Sequence, residues 1–334
     1  MAARRRSLLA RLGIVLSVVL SLTAALVLYV PLASQANPVA ASASQRADLS
    51  GYAWINYFRA LGGLSPVTRD ATIEAQESLH VHYLADHALG CETNVHDELI
   101  GRSAGCGANR YATVAGRAAA RNSNITRVNA PVSDRIAVQT WFTAAFHALV
   151  LLEPRLRSTG YASYYTARPT GAAPSAYQFT AAVDVYRGRT GSYRGQLLAF
   201  PATGATSPLL SYQIGSESPE PFRSTVAGSP CHSWGNQTMV SAPVIVQWPV
   251  TSKAPQGSAS LIDLTTGTAL ATCALTAGQY PAGSLAQQFL LGTNRVTKAA
   301  LYYAAAPFVA GHRYQLRVAG STITTFSTSN VANP

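Results

Sequence analysis

The chain has 334 residues, of which 48% are hydrophobic and 12% are charged, so it is long enough for two domains with separate cores. The low charge excludes a long disordered chain. The formal net charge is +11, but the basic residues beyond Arg4–Arg6 are scattered, and we therefore expect no nucleic-acid partner.

Residues 1–36 are typical of a targeting segment. Arg4–Arg6 and Arg11 precede a charge-free stretch, and Ser34-Gln35-Ala36 places small residues before a possible cleavage site. This order indicates a secretory signal peptide. The apolar stretch is also long enough to span a bilayer, so an uncleaved N-terminal membrane anchor is the alternative. In both cases we expect residues 37–334 to be extracytoplasmic and only residues 8–33 to contact a membrane.

Helical patterns follow a flexible linker that we assign to residues 37–48 from its Ala/Ser/Pro content. In a first helix, Trp54 and Phe58 share one face. A second helix is predicted from Asp70 to about His87, and its buried side is partly polar because it includes Glu77 and His80. A third helix starts at the N-cap Ser133 and ends before Pro154.

The sequence period then changes from helical to two. Residues 159–165 and 176–186 are predicted strands, which complete a first domain over residues 49–190. Residues 191–228 are rich in Pro, Ser and Gly and are predicted to be an interdomain linker. Residues 229–330 contain short strand patterns between turns and no helical stretch, which predicts an all-β, Ig-like sandwich. The fold class is therefore α+β.

Four cysteines follow the targeting segment, and an even number outside the cytosol predicts two disulfides. Three connectivities are possible. Pairing Cys91 with Cys106 and Cys231 with Cys273 keeps each bridge inside one predicted domain. No C-x-x-C pair is present, which argues against a zinc cluster.

Two segments resemble a known family. The first helix and turn read Asn56-Tyr-Phe-Arg59-Ala-Leu-Gly-Gly63-Leu64-Ser-Pro66-Val67, and a later segment reads Trp141-Phe-Thr-Ala-Ala-Phe146-His147-Ala-Leu-Val-Leu-Leu-Glu-Pro154, followed by Gly160-Tyr161. Both resemble the CAP superfamily of cysteine-rich secretory proteins, antigen 5 and pathogenesis-related 1 proteins, over about residues 49–187.

The C-terminal part extends this resemblance. The chain is similar to bacterial SCP-like extracellular proteins in which a CAP domain precedes a small β-sandwich. Gly215-Ser-Glu217-Ser-Pro219-Glu-Pro221 stands where those proteins carry a G-E-x-P-x-P linker. The resemblance implies an α-β-α sandwich with a cleft lined by two histidines and two glutamates, which binds a divalent metal in some members.

The resemblance transfers only part of that site to this chain. His96 and His147 match the two family histidines, whereas Ser123 and Asn124 stand where a glutamate is expected, and Glu98 follows His96 by two residues. These five residues are the predicted cleft residues. Zinc needs a third protein ligand for normal affinity, so His96 and His147 predict at most a weakly bound divalent metal, and no required cofactor.

Three functions are compatible with this degenerate cleft. The first is a secreted or cell-surface, non-catalytic protein that binds a small apolar ligand or a cell-envelope component. The second is a metal-assisted hydrolase of peptides or wall polymer, in which His147 is the base, His96 polarises the substrate or binds metal, and Glu98 or Asp134 orients a histidine. The third is a structural or adhesion module. The shortage of carboxylates favours the first, since proton-transfer chemistry pairs an acid with a base.

Overall fold

The computed structural model describes residues 50–86, 94–98, 109, 111–166, 177–193, 195–255, 257–293 and 295–330. The predicted signal peptide or anchor, the 37–48 linker, Cys91 and Cys106 lie outside these described residues. Within them, no helix combines the length and the apolar character that crossing a bilayer requires.

The first part of the chain contains short strands among helices. Its helices are α1 (Gly51–Leu61), α2 (Ala71–Asp86), α3 (Val114–Ala120), α4 (Asp134–Thr143) and α5 (Ala145–Leu151). Its strands are β1 (Thr68–Arg69), β2 (Ser123–Val128), β3 (Ser158–Thr159), β4 (Tyr161–Tyr165) and β5 (Phe179–Asp184).

Strand β5 is the centre of this part, because it pairs antiparallel with β2 on one side and with β4 on the other. All six of its residues are buried. Successive side chains of a strand point to opposite faces. Accordingly, Ala181 and Val183 belong to the large core with α1, α4 and α5, whereas Ala182 belongs to a smaller cluster with α2. A sheet covered by helices on both faces is the expected α-β-α sandwich.

Two residues of the Asn56–Val67 segment hold loops to helix α1. The Asn56 side chain donates to the carbonyl of Val67 at 3.1 Å and accepts from its N–H at 2.8 Å. Arg59 is fully buried and donates to the carbonyls of Leu151 and Leu156, which close the turn after α5. Burial lowers the pKa of Arg59 to about 10.

The predicted third helix is interrupted. Ser133 caps α4, since its side chain accepts from the N–H of Ile136, as expected. At Ala144 the backbone leaves the helical region, with φ −83° and ψ 104°, and α5 begins as a separate helix. This break lies three residues before His147, which therefore belongs to the separate helix α5.

The second part of the chain is rich in β-structure. Its strands are β6 (Leu198–Phe200), β7 (Thr206–Ser207), β8 (Ser211–Gln213), β9 (Met239–Ser241), β10 (Val244–Pro249), β11 (Ala259–Asp263), β12 (Thr268–Leu270), β13 (Thr272–Leu275), β14 (Thr297–Ala304), β15 (Arg313–Val318) and β16 (Ser321–Thr328). One sheet has the order β13-β14-β10-β6 and another the order β12-β11-β15-β16-β7. Cys231 and Cys273 form a disulfide.

Two sequence-based expectations differ from this part of the structure. Residues 191–228 were expected to be a linker, but β6 pairs with β10 and β7 pairs with β16, so this segment completes both sheets. The expected all-β domain also contains a helix, α6 (Leu285–Leu291), which Ser284 caps and which ends at Gly292 in the left-handed conformation.

Side chains from both parts form one continuous hydrophobic core. Phe142 of α4 lies 5.7 Å from Phe200 of β6, and Phe146 of α5 stacks on Phe289 of α6 at 5.5 Å between ring centroids. Helix α6 therefore packs directly against the helix that carries His147.

Candidate functional site

A cleft with about 470 Å³ of empty space, including the part that is open to solvent, lies where α5, β2 and α6 meet. Its lining combines residues of the helical part with two residues of the β-rich part: His96, Arg121, Ser123, Asn124, Phe146, His147, Val150, Val185, Tyr186, Ser218 and Phe289. The cleft thus contains four of the five predicted cleft residues.

His96 lies in the loop before α3 and is fixed by its Nδ1 atom, which is 3.0 Å from the carbonyl oxygen of Ala120. A carbonyl only accepts, so Nδ1 carries the proton and Nε2 of the neutral ring keeps a lone pair. Burial is the largest of the causes that lower the pKa of His96 to about 4. The ring is therefore neutral at physiological pH.

His147 lies on α5 with 9% of its surface exposed, and its Nδ1 is 3.1 Å from Oε2 of Glu217. The same carboxylate oxygen accepts from the backbone N–H of Phe146 at 3.0 Å. Burial raises the pKa of Glu217, and the hydrogen bond from His147 opposes this shift. The site therefore includes a carboxylate that lies behind the histidine and comes from the β-rich part.

Ser123 and Asn124 are the first two residues of β2, and both are buried. The Ser123 hydroxyl lies 2.8 Å from Oε1 of Glu77 and 2.8 Å from the carbonyl oxygen of Ala119. The Asn124 amide donates to the carbonyl of His147 at 3.0 Å. Strand β2 thus fixes both the floor of the cleft and the position of α5.

Behind Ser123 lie two buried carboxylates and one partly exposed arginine. Arg187 bonds to Asp184 and reaches Oε1 of Glu77 at 3.0 Å, and both acids are fully buried. Burial, together with the negative charge of Asp184, raises the pKa of Glu77 to about 8. One arginine cannot neutralise two carboxylates, so the charge balances when Glu77 is protonated.

Glu98 does not line the cleft. It is 1% exposed, its Oε1 lies 3.0 Å from Nδ1 of His80, and its Oε2 accepts from the N–H of Thr113 at 2.8 Å. Its neighbour Gly116 leaves no room for a side chain, since a Cβ there would lie 2.3 Å from Glu98 Oε1. Glu98 therefore holds α2 against the start of α3 and orients His80 instead of a cleft histidine.

The donor set does not fit a tightly held metal ion. Among the described residues, no group of three or more His, Cys, Asp or Glu side chains is placed to hold one. His96 and His147 supply two nitrogens, while Glu98 and Glu217 are committed to other hydrogen bonds. The weak divalent-metal site at these two histidines remains a prediction.

The rest of the lining has an apolar wall and a polar rim. Phe146, Val150, Val185 and Phe289 form the wall. Arg121, which also reaches Asp97 at 3.2 Å, is the exposed residue of the rim. The cleft can therefore accommodate an apolar body together with a polar group that meets the histidines.

Glu217 and Phe289, both from the β-rich part, are among the residues of this site that the sequence did not predict. Glu217 lies in the segment expected to be a linker, and its position in a G-E-x-P-x-P-like pattern was the available signal. Phe289 belongs to a helix that was not expected at all. Asp134, proposed as a histidine-orienting group, starts α4 and does not line the cleft.

Comparison with known proteins gives one match. The model of the cysteine-rich secretory protein family, CAP, matches residues 52–179, which include His96, Ser123, Asn124 and His147. No curated protein and no solved structure matches the chain. Glu217, Ser218 and Phe289 lie outside the matched residues.

Proposed function

Residues 52–179 form a domain of the cysteine-rich secretory protein (CAP) family, and from this premise we propose that the protein binds a small, largely apolar ligand in the cleft, without catalysis. The ligand is a free small molecule or an apolar piece of the cell envelope. We further propose that the protein acts outside the cytoplasm, secreted or anchored at the cell surface. The Cys231–Cys273 disulfide supports this location, because disulfides persist in oxidising compartments.

The observation that carries the proposal is that the cleft combines an apolar wall with a few polar groups. Its apolar wall would bury the body of a ligand, as in most small-molecule sites, where a few polar groups fix orientation. No Asp or Glu belongs to its described lining, and Glu98 and Glu217 are buried and hydrogen-bonded to His80 and to Nδ1 of His147. This arrangement suits binding better than chemistry that needs a facing acid and base.

A fluorescence titration with the apolar probe N-phenyl-1-naphthylamine tests the proposal. We expect the purified protein to bind the probe with an enhanced, saturable signal. Ser218→Trp places a large side chain in the lining and should abolish this signal, whereas Ser252→Trp, at an exposed position outside the cleft, should retain it. No binding by the unmodified protein, or equal binding by both variants, contradicts the proposal.

One observation favours a second candidate function, hydrolysis with His147 as general base. A carboxylate bonded to Nδ1 holds a histidine in the orientation that a general base needs, and Glu217 occupies that position. The test is turnover of peptides and of cell-wall polymer by the protein, by His147→Ala and by the control His232→Ala. Turnover that only His147→Ala loses supports hydrolysis, whereas turnover that both variants keep excludes His147 as the base.

A further inference from the structure

We propose that the floor of the cleft presents hydrogen-bond acceptors at His96, His147 and Ser123, so that the ligand carries a hydrogen-bond donor, a hydroxyl or a protonated primary amine, on its apolar body. This inference rests on the proposed binding function and specifies the chemistry of the ligand. Each of the three groups has its proton directed to a protein atom and away from the cleft.

His96 gives the first acceptor. Its Nδ1–H donates a hydrogen bond to the carbonyl oxygen of Ala120. Its Nε2 has no hydrogen-bond partner in the described part of the chain, and the ring contributes to the lining. A neutral imidazole whose Nδ1 donates offers only a lone pair at Nε2.

His147 gives the second acceptor by the same logic. Its Nδ1 faces Oε2 of Glu217, which already accepts from the N–H of Phe146. An oxygen that accepts one N–H at this distance is suited to accept a second, so Nδ1 is the protonated nitrogen of the ring. The Nε2 lone pair then remains for a ligand.

Ser123 gives the third acceptor. Its hydroxyl has a single proton, and two protein oxygens, Glu77 Oε1 and Ala119 O, each lie 2.8 Å from Oγ. Whichever oxygen accepts the hydroxyl hydrogen bond, the hydroxyl has no second proton to donate into the cleft. Oγ therefore offers a lone pair there. A protonated Glu77 that donates to Oγ satisfies both short distances at once.

Donors of the lining lie mostly towards the rim. Arg121 is exposed, and Ser218 and Tyr186 are partly exposed, whereas Ser123 and Asn124 are buried. Asn124 uses one amide N–H on the His147 carbonyl, and its Oδ1 has no hydrogen-bond partner among the described residues. A ligand without a donor would leave several buried lone pairs unpaired, which favours a donor-bearing ligand by about tenfold or more.

Matched ligands test this inference by displacement of bound N-phenyl-1-naphthylamine. 1-Octanol and heptyl methyl ether are isomers that differ in the donor, and octylammonium and octanoate vary the head group. We expect octanol or octylammonium to displace the probe at about tenfold lower concentration than the ether and octanoate. Octanol against octylammonium distinguishes a hydroxyl from an ammonium ligand. If octanoate or the ether displaces the probe at the same concentration as octanol and octylammonium, the inference is overturned.

A variant pair locates the effect at the floor. Ser123→Ala removes one acceptor and should weaken displacement by octanol without changing displacement by the ether. Ser260→Ala, on β11 and away from the cleft, should change neither. Equal loss for octanol and ether in Ser123→Ala indicates damage to the cleft shape and contradicts an acceptor role.

The protonation states can be read without any ligand. Long-range ¹H–¹⁵N NMR spectra at pH 7.5, assigned with His96→Asn and His147→Asn, report which ring nitrogen carries the proton. We expect Nδ1–H with a bare Nε2 in both rings. An Nε2–H at either ring overturns the inference even if the probe binds. If the probe does not bind although neither Nε2 carries a proton, the binding function is overturned. The proposal that the floor of the cleft presents hydrogen-bond acceptors then still stands.

Discussion

Nδ1 of His147 lies 3.1 Å from Oε2 of Glu217, which joins a histidine of the CAP domain to a carboxylate beyond the matched residues 52–179. The resemblance implied glutamates inside the cleft, and β2 carries Ser123 and Asn124 at that place instead. The chain thus pairs His147 of the cleft with an acid from the β-rich part. The same hydrogen bond therefore belongs to the candidate site and to the contact between the two parts of the chain. A change at Glu217 affects both.

Removal of the Glu217 carboxylate should destabilise the protein. Glu217→Ala leaves the N–H groups of His147 and Phe146 without their acceptor, and each unpaired buried donor costs about 1–3 kcal/mol. We expect a lower free energy of unfolding in urea denaturation. Glu217→Gln, whose amide oxygen can accept one of these bonds, should recover part of the loss. A Glu217→Ala protein as stable as the unmodified one would show that the bond contributes nothing.

The buried acid Glu77 should make stability depend on pH. Its pKa of about 8 in the folded protein lies above the value of about 4.3 for an unfolded glutamate, so the folded state binds more protons between these values. The stabilising contribution is complete below the unfolded pKa and is lost as the pH rises through about 8. Glu77 changes the free energy of unfolding by at most about 1.4 kcal/mol per pH unit.

Urea denaturation between pH 5 and pH 9 measures this dependence. Glu77→Gln keeps the shape of the neutral acid and should flatten the profile, because the glutamine does not titrate. Glu74→Gln, on the same helix and less buried, should retain the slope of the unmodified protein. An equally steep profile in Glu77→Gln would exclude Glu77 as its source.

Local patterns predicted the parts of the fold that local interactions decide. The spacing of Glu77 and His80 placed both on the buried side of α2, and both are fully buried. Ser133 was identified as an N-cap because its hydroxyl acts on its own helix, and the structure confirms this bond. Such features need no knowledge of distant residues.

Features that depend on distant partners were not predictable in this way. Strand β6 has three residues and exists because β10 supplies its hydrogen bonds, so composition alone suggested a linker. Glu217 faces His147 from 70 positions along the chain. Tertiary contacts of this kind override local propensity and leave no periodic signal.

A side chain at position 116 should disturb the contact between α2 and α3. Gly116→Ala places a Cβ 2.3 Å from Glu98 Oε1, which must move away from His80. Alanine favours a helix by about 1 kcal/mol over glycine, but loss of a buried hydrogen bond costs about 1–3 kcal/mol, so we expect net destabilisation. Gly278→Ala, with no heavy atom near its Cβ, is the control and should be nearly neutral. A Gly116→Ala protein more stable than the unmodified one would show that Glu98 adjusts freely.

Phe289 should contribute both to stability and to ligand binding, because it stacks on Phe146 and also lines the cleft. Truncation of a buried phenylalanine costs about 3–5 kcal/mol, so Phe289→Ala should lower the free energy of unfolding by about the lower value. It should also weaken binding of N-phenyl-1-naphthylamine, since one side of the apolar wall is lost. Leu291→Ala, on the same helix but 46% exposed, should change the free energy by less than about 0.5 kcal/mol and leave binding intact. If Phe289→Ala loses stability yet binds the probe with unchanged affinity, α6 supports the fold without shaping the ligand site.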